Sequence, residues 1–469
     1  MTYEEFVASK VQSVKSVGIP SPGPISSALS PFQVDCVRFA LERGRAALFE
    51  DCGLGKTRQQ LEWARHVAKY TGGKVLILAP LAVAAQTIRE GVAVGIAVSY
   101  ARHQTEATGA ISITNYERLD GFDASSFAGV VLDESSILKS FMGSTKRALV
   151  EAFARTPFRL CCTATPAPND HLELGNHAEF LGVLTSHEMI ARWFINDTSL
   201  FGNYRLKGHA TVPFWDWVAS WARCIGKPSD IGHSDEGYIL PPLNIHRHVV
   251  EVDATTERGA DFVPGAGRDQ LRLMRLPDMN ATNVHAEKRR TVVERAREVA
   301  RIAAAEPVEQ WLIWCETDYE ADALRAVIPE AVEVRGPDSP ERKEAALMGF
   351  ADGSIRVLIT KSRIAGFGMN FQNCARQAMV SATFSYEQFY QEVRRSWRFG
   401  QKRPVEAHVV MAHTELGIWD VLTRKQEDHE SMKLEMYAAM RRAQSKRDDR
   451  RRDYNPTKPV KLPAWMVAR

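Results

Sequence analysis

Glu50-Asp51-Cys52-Gly53-Leu54-Gly55-Lys56-Thr57 decides the fold. The octapeptide follows an apolar run at 46–49 and opens an amphipathic stretch at 58–68. Strand, glycine turn and helix in this order make a phosphate loop, in which backbone N–H groups of the turn and the helix start point at phosphate oxygens. Gly53 and Gly55 let the backbone curl with no side chain in the way. Lys56 brings a point charge to β- and γ-phosphates, and the Thr57 hydroxyl can bind Mg²⁺. Glu50 stands where the common pattern has glycine, so a strict motif search passes over this loop.

Further along, Val130-Val131-Leu132-Asp133-Glu134 ends a buried strand with two carboxylates. Ligands of open α/β sheets bind at that edge. Asp133 can hold Mg²⁺, and Glu134 can orient or deprotonate an attacking water. An Asp-Glu pair after a strand also reads as a plain surface loop; downstream of a phosphate loop it is the second half of an ATPase site.

Strand candidates at 46–49, 75–79, 111–114, 130–132 and 159–162 are nearly continuous in apolar residues, as strands covered on both faces are. Amphipathic stretches alternate with them, which implies a doubly wound parallel sheet. The rhythm pauses over 179–240, where Trp193, Trp215, Trp217 and Trp221 suggest a helical insertion with a small core of its own. It resumes with strands at 311–315, 332–334, 356–360, 377–380 and 407–411. The expected organisation is an N-terminal lead-in (1–28), a first α/β domain with the insertion (29–242), a second α/β domain (243–440) and a basic tail (441–469).

The chain has 469 residues, 45% apolar and 25% charged, which fits a globular protein and excludes bulk disorder. Net charge is +3, yet residues 441–469 alone carry +7, leaving −4 for the rest. Such a tail reads either as a nucleic-acid contact or as a solvated end. Seven cysteines without a CxxC pair argue against a zinc site or disulfide framework. The start lacks the pattern of a signal peptide, and no apolar run is long enough for a membrane span. A cytoplasmic setting, in a bacterial or phage-infected cell, is the expectation.

In this order the motifs resemble the Swi/Snf-like branch of superfamily 2 helicases and translocases. Leu29-Ser30-Pro31-Phe32-Gln33 is similar to that branch's adenine-reading glutamine segment, and the acidic residues before Gly53 to its first motif. Ala79-Pro80-Leu81 and Thr114-Asn115-Tyr116-Glu117 resemble its strand ends that face nucleic acid. The run Leu132 to Lys139 resembles its acidic box. Cys162-Thr163-Ala164-Thr165-Pro166, with Asn169, Glu173 and Leu174, resembles its coupling motif. Ser362 to Asn370, with Gly366 and Gly368, is similar to motif five, and Gln391 to Gln401 to motif six. Ser136 departs from the histidine found in many relatives, and 179–240 is weakly matched.

The resemblance implies two RecA-like α/β domains flanking an ATP cleft. It implies ATP and Mg²⁺ as cofactors, and translocation on duplex or branched DNA without sequence preference. Thr114, Lys139, Thr360 and Asn370 are the candidate nucleic-acid contacts. A strand-separating helicase on DNA or RNA, and a motor subunit for a separate nuclease, methyltransferase or recombination partner, stay open.

Ser385-Tyr386-Glu387-Gln388 has the form of a capping box. In a helix running from it to Gly400, Gln391, Arg395 and Arg398 would share a stripe about 60° wide. Arg394 would lie on its flank. The planar guanidinium fork suits phosphate, so Arg395 and Arg398 are read as arginine fingers, with Gln391 near the γ-phosphate or water.

Overall fold

The computed structural model describes residues 17–80, 83–139, 143–168, 170–196, 204–252, 281–365 and 370–451. The expectations for Leu81, Asn169, Gly366, Gly368 and 452–469 lie outside the described residues. Within them the chain folds into two parallel α/β domains.

The first domain uses β1 (Arg45–Glu50), β2 (Lys74–Ala79), β3 (Ser99–Tyr100), β4 (Ile111–Asn115), β5 (Phe127–Asp133) and β6 (Phe158–Thr163). A short antiparallel hairpin follows, β7 (Phe194–Asn196) with β8 (Tyr204–Leu206), and then β9 (Ala222–Ile225). Among the described residues the sheet runs β3-β4-β2-β5-β6-β1-β9, all parallel. Its helices are α1 (Pro31–Arg43), α2 (Lys56–Thr71), α3 (Ala84–Ala93), α4 (Ser144–Ala152), α5 (Glu173–Leu181), α6 (Ser186–Trp193) and α7 (Thr211–Trp221). Strands such as Leu76-Ile77-Leu78-Ala79 are wholly buried because helices cover both faces.

The second sheet runs β10 (Leu243–Val250), β15 (Val405–Ala412), β14 (Arg376–Met379), β11 (Trp311–Cys315), β13 (Val357–Lys361) and β12 (Val332–Glu333), again all parallel. Its helices are α8 (Ala281–Arg290), α9 (Val292–Ala305), α10 (Asp318–Val327), α11 (Pro340–Ala351), α12 (Tyr386–Val393) and α13 (Leu416–Arg451). The expected strand positions hold within a few residues. β10 went unread because polar Asn244, His246, Arg247 and His248 break up its apolar residues, and no residue of this edge strand is fully buried.

Two expectations need correction. The 179–240 segment has no core of its own. Its aromatics, including Phe214, Trp215, Trp217 and Trp221, belong to the core of the first domain. Trp221 meets Phe49 of β1 edge to face at 5.9 Å, and β9 extends the sheet beside β1.

Nor is the start of the basic tail a solvated end. α13 leaves the second domain with Ile418 and Leu422 in that domain's core. It then enters the first domain, burying Met432, Met436, Ala439 and Met440. Arg442 pairs with Asp216 of α7 at 3.0 Å, Arg441 with Asp230 at 3.5 Å, and Gln444 donates to the Ile231 carbonyl. The first residues of the expected basic tail are therefore docked.

Inside the second domain Arg295 of α9 is fully buried. Its guanidinium lies 3.3 Å from Glu320 and 3.4 Å from Glu415, and it donates to the Val380 and Lys288 carbonyls. Arg295→Met would leave two buried carboxylates without their cation, a loss of about 3–5 kcal/mol. A urea titration should show it as a lower midpoint at unchanged slope. A shift worth less than about 1 kcal/mol would mean that the arginine does not hold these elements together.

Candidate active site

Parallel pairing sets Phe49 beside Thr163 and Asp133 beside Cys162. The phosphate loop, the acidic pair and the coupling motif therefore leave the sheet at one edge. Beyond β1 the chain turns through Gly53 (φ +91°) and Gly55 (φ +83°), the latter being the residue before α2. No side chain caps that helix. Its first N–H groups have no partner within the helix, the arrangement that suits an anion.

Gly55 is required for a second reason. A Cβ there would sit 2.3 Å from Gln33 Nε2. That amide donates to the Leu54 carbonyl at 2.8 Å, while Gln33 Oε1 accepts from Ser30 N. Gln33 thus braces the loop from α1. Lys56 Nζ folds back onto the Glu50 and Asp51 carbonyls at 2.7 and 3.1 Å. Thr57 is half-buried in the first turn of α2. Glu50 is fully buried and accepts from Gln59 Nε2 at 2.7 Å. Burial pushes its carboxyl up to about 7, against the pull of Lys56.

Asp133 accepts from Gln60 Nε2 at 2.7 Å, and Tyr116 donates its hydroxyl proton to the Asp133 carbonyl. Glu134 holds a left-handed backbone (φ +56°), a costly conformation for a residue with a side chain. It turns the carboxylate toward Thr163 Oγ1, which donates to it at 2.8 Å. Thr163 also accepts from Thr165 N, so the coupling motif touches the acidic box directly. Ser136 Oγ lies 3.4 Å from the same Glu134 oxygen. Burial raises the carboxyls of Asp133 and Glu134 above their usual range, with Lys56 opposing in both.

From the second domain, Arg394 reaches the loop. Its Nη2 donates to the Cys52 carbonyl at 2.7 Å and lies 3.2 Å from Asp51. Arg395 and Arg398 come close behind. Burial lowers both guanidiniums, Arg398 to about 10, and for Arg398 the neighbouring Arg395 charge adds to the effect. Cys52 and Glu134 pull Arg395 the other way. Phe399 closes over Gly53, where a Cβ would come within 3.0 Å of its backbone N. A cavity of about 410 Å³ opens beside the loop, lined by Cys52, Gly53, Lys227, Tyr238, Arg394 and Phe399.

The single arginine helix is corrected. α12 ends at Val393 and the chain closes into turns beyond it; Trp397 N still bonds the Val393 carbonyl, but the Arg395 carbonyl goes to Phe371 N outside the helix. Ser385 caps Gln388 N, but the Gln388 side chain goes to Glu316 and Glu392 instead of closing the box. Gln391 is buried on α12. Arg395 and Arg398 reach the cleft from a turn, and the flank residue Arg394 makes the firm contact.

The candidate nucleic-acid residues are not brought together. Thr114 and Thr360 are fully buried in their sheets, so neither hydroxyl faces solvent in this conformation. Lys139 spans the domains to Glu387 at 2.6 Å, and Asn370 is half-buried. Sequence reasoning placed Thr163 and Tyr116 in motifs without their contacts to Glu134 and Asp133, and missed Gln59 and Gln60. The two glutamines were the most readable, falling one helical turn after the loop.

Residues 293–400 match the family described as the helicase conserved C-terminal domain. The second domain is similar to that of helicases. The match covers the turn carrying Arg394, Arg395 and Arg398. No curated protein matches the chain. Among solved structures, the Sulfolobus solfataricus SWI2/SNF2 ATPase core in complex with dsDNA is similar over 84% of this chain and 89% of that one, at 18% identity and a TM-score of 0.40.

Glu50 makes the site sensitive to pH. Its folded-state pKa is raised, so the fold gains from its proton below the ordinary carboxylate value of 4.5 and loses that gain as pH rises through about 7. Stability should decline over this window, and Glu50→Gln should flatten the decline. Urea midpoints taken between pH 4.5 and 8 check it; an identical slope in the variant would show that Glu50 does not titrate there.

Proposed function

We propose that the chain is an ATP-hydrolysing motor that moves along duplex or branched DNA without reading sequence. The observation that supports it is the meeting of two half-sites across the cleft. A glycine loop, a lysine and two carboxylates stand on one domain, and three arginines on the other. Neither half is a complete phosphoryl-transfer site alone.

The residues fit ATP and Mg²⁺. The two positive-φ glycines and the uncapped start of α2 form a cradle that a Cβ would fill. Thr57 and Asp133 would hold the metal, whose charge would offset that of the phosphates. Lys56 would turn from the loop carbonyls toward the phosphates. Glu134, aimed by Thr163, would orient the attacking water and take its proton. Arg395 and Arg398 would complement charge developing on the transferred group. Gln391 is proposed to act near that group from its buried place on α12.

Because the arginines and the loop ride on different domains, occupancy of the cleft would close it and hydrolysis would reopen it. For the track, the support is the ordered motif set. Backbone contacts suit a motor because they are independent of sequence. Lys139 and Asn370 remain proposed contacts; Thr114 and Thr360 would need the sheet edges to rearrange.

The deciding experiment is ATP turnover with no nucleic acid and with single-stranded, duplex, forked and four-way DNA, and RNA. Duplex-containing DNA should stimulate most. Stimulation by single strands or RNA alone would point to a strand-separating helicase instead. No stimulation by any would point to a motor that needs a partner protein. In the same assay Arg398→Ala should lower kcat by about 10³-fold or more while KM changes little. A melting curve alongside separates this from misfolding; a well-folded variant with normal kcat would remove Arg398 from the site.

A further inference from the structure

α13 passes the phosphate loop on its way into the first domain. Lys433, one residue after the core residue Met432, projects at that point, with only 14% of its side chain exposed. Its Nζ lies 3.7 Å from Asp51, 3.4 Å from the Tyr390 hydroxyl and 4.7 Å from the centre of the Tyr390 ring. One turn later Tyr437 packs so tightly on Gly226 that a Cβ there would overlap its hydroxyl. This stretch of α13 is therefore fixed to the same body as the loop.

Asp51 is an awkward residue for a polyphosphate site. Its carboxylate caps Cys52 N at 2.9 Å, inside the loop that should receive anions. Burial alone would push its carboxyl up, yet Arg394 and Lys433 together hold it below the usual range, and so charged. These two cations belong to different bodies. Arg394 stands at the end of α12 in the second domain, whereas Lys433 is clamped between Met432 and Met436 in the core of the first.

We propose that Lys433 is a positioning residue for nucleotide binding: it keeps Asp51 neutralised while the cleft opens and closes, leaving Arg394 free to move with the second domain. The inference rests on the ATP reading above. When the domains part, Arg394 leaves with its own sheet. Without Lys433 the loop would then present to incoming phosphates a carboxylate answered only by the Cys52 N–H and by Lys56, the charge that the phosphates themselves need. With it, the loop stays receptive in the open state, the one that nucleotide must enter. Lys433 touches the loop and not the reacting atoms, so it should govern binding more than turnover.

The test is a cycle on the full chain, reading KM and kcat for ATP, direct affinity for a fluorescent ADP analogue, and melting temperature. Lys433→Met should weaken nucleotide affinity and raise KM about tenfold, the scale of one screened charge contact, with kcat within about twofold. Lys433→Arg should restore affinity. Lys433→Met combined with Asp51→Asn should recover most of the loss, because the amide still caps Cys52 N but carries no charge. Unchanged KM in a folded Lys433→Met, or a double variant no better than the single, overturns the proposal. A loss confined to melting temperature, with KM and kcat intact, also overturns it by making the lysine merely structural. If Lys433→Met does not fold, the arginine and double variants still decide by the same affinity ratio. Failure of the unaltered chain to bind nucleotide is a different result and sinks the ATP reading itself.

Discussion

The register of β1, β5 and β6 is the constraint on which the rest depends. Because these strands are parallel and paired without a slip along their C-terminal halves, Glu50, Asp133 and Thr163 end side by side. A one-residue shift would turn every side chain on the strand to the opposite face. The loop glycines, the carboxylates and the Thr163 hydroxyl are short-range devices, and none could find the others without that common edge. The apolar bulk of these strands therefore contributes geometry to the site as well as stability.

Across the cleft, electrostatics has been arranged at a cost. Three guanidiniums are buried close together, and the charges of Arg395 and Arg394 disfavour that of Arg398. Desolvating such a group is expensive unless a partner answers it. The loop gives a partial answer through the Cys52 carbonyl, Asp51 and the field of Glu134. Guanidiniums held beside an uncapped helix start make a setting that suits a polyanion.

Much of this was legible in the sequence, and the failures share a cause. The phosphate loop, the acidic pair and most strands are local signals, written in consecutive residues. The strand β10 was hidden because polar residues interrupt it and neither of its faces is fully buried. The helical wheel over 385–400 placed Arg395 and Arg398 correctly near the cleft for an incorrect reason, since α12 stops at Val393 and the arginines follow in a turn, with Phe371 N taking the Arg395 carbonyl. Thr114 and Thr360 read as strand-end contacts, but strand ends in a deep parallel sheet can be as buried as its centre. Lys433 had no local signal: in a run of alternating charges nothing distinguishes the one lysine that meets Asp51 from its solvated neighbours.

The path of α13 also bears on how the chain is made. The core of the first domain is closed by Met432, Met436, Ala439 and Met440, which follow the whole of the second domain in the chain. During synthesis the first domain emerges early, yet an apolar seam against α7 and β9 must stay uncovered until the final helix arrives. Domains commonly fold as they leave the ribosome. Here the first to appear is the last to be completed, so maturation of the half that carries the glycine loop is tied to the presence of its partner half. A prematurely terminated chain would carry the glycine loop on an unfinished core.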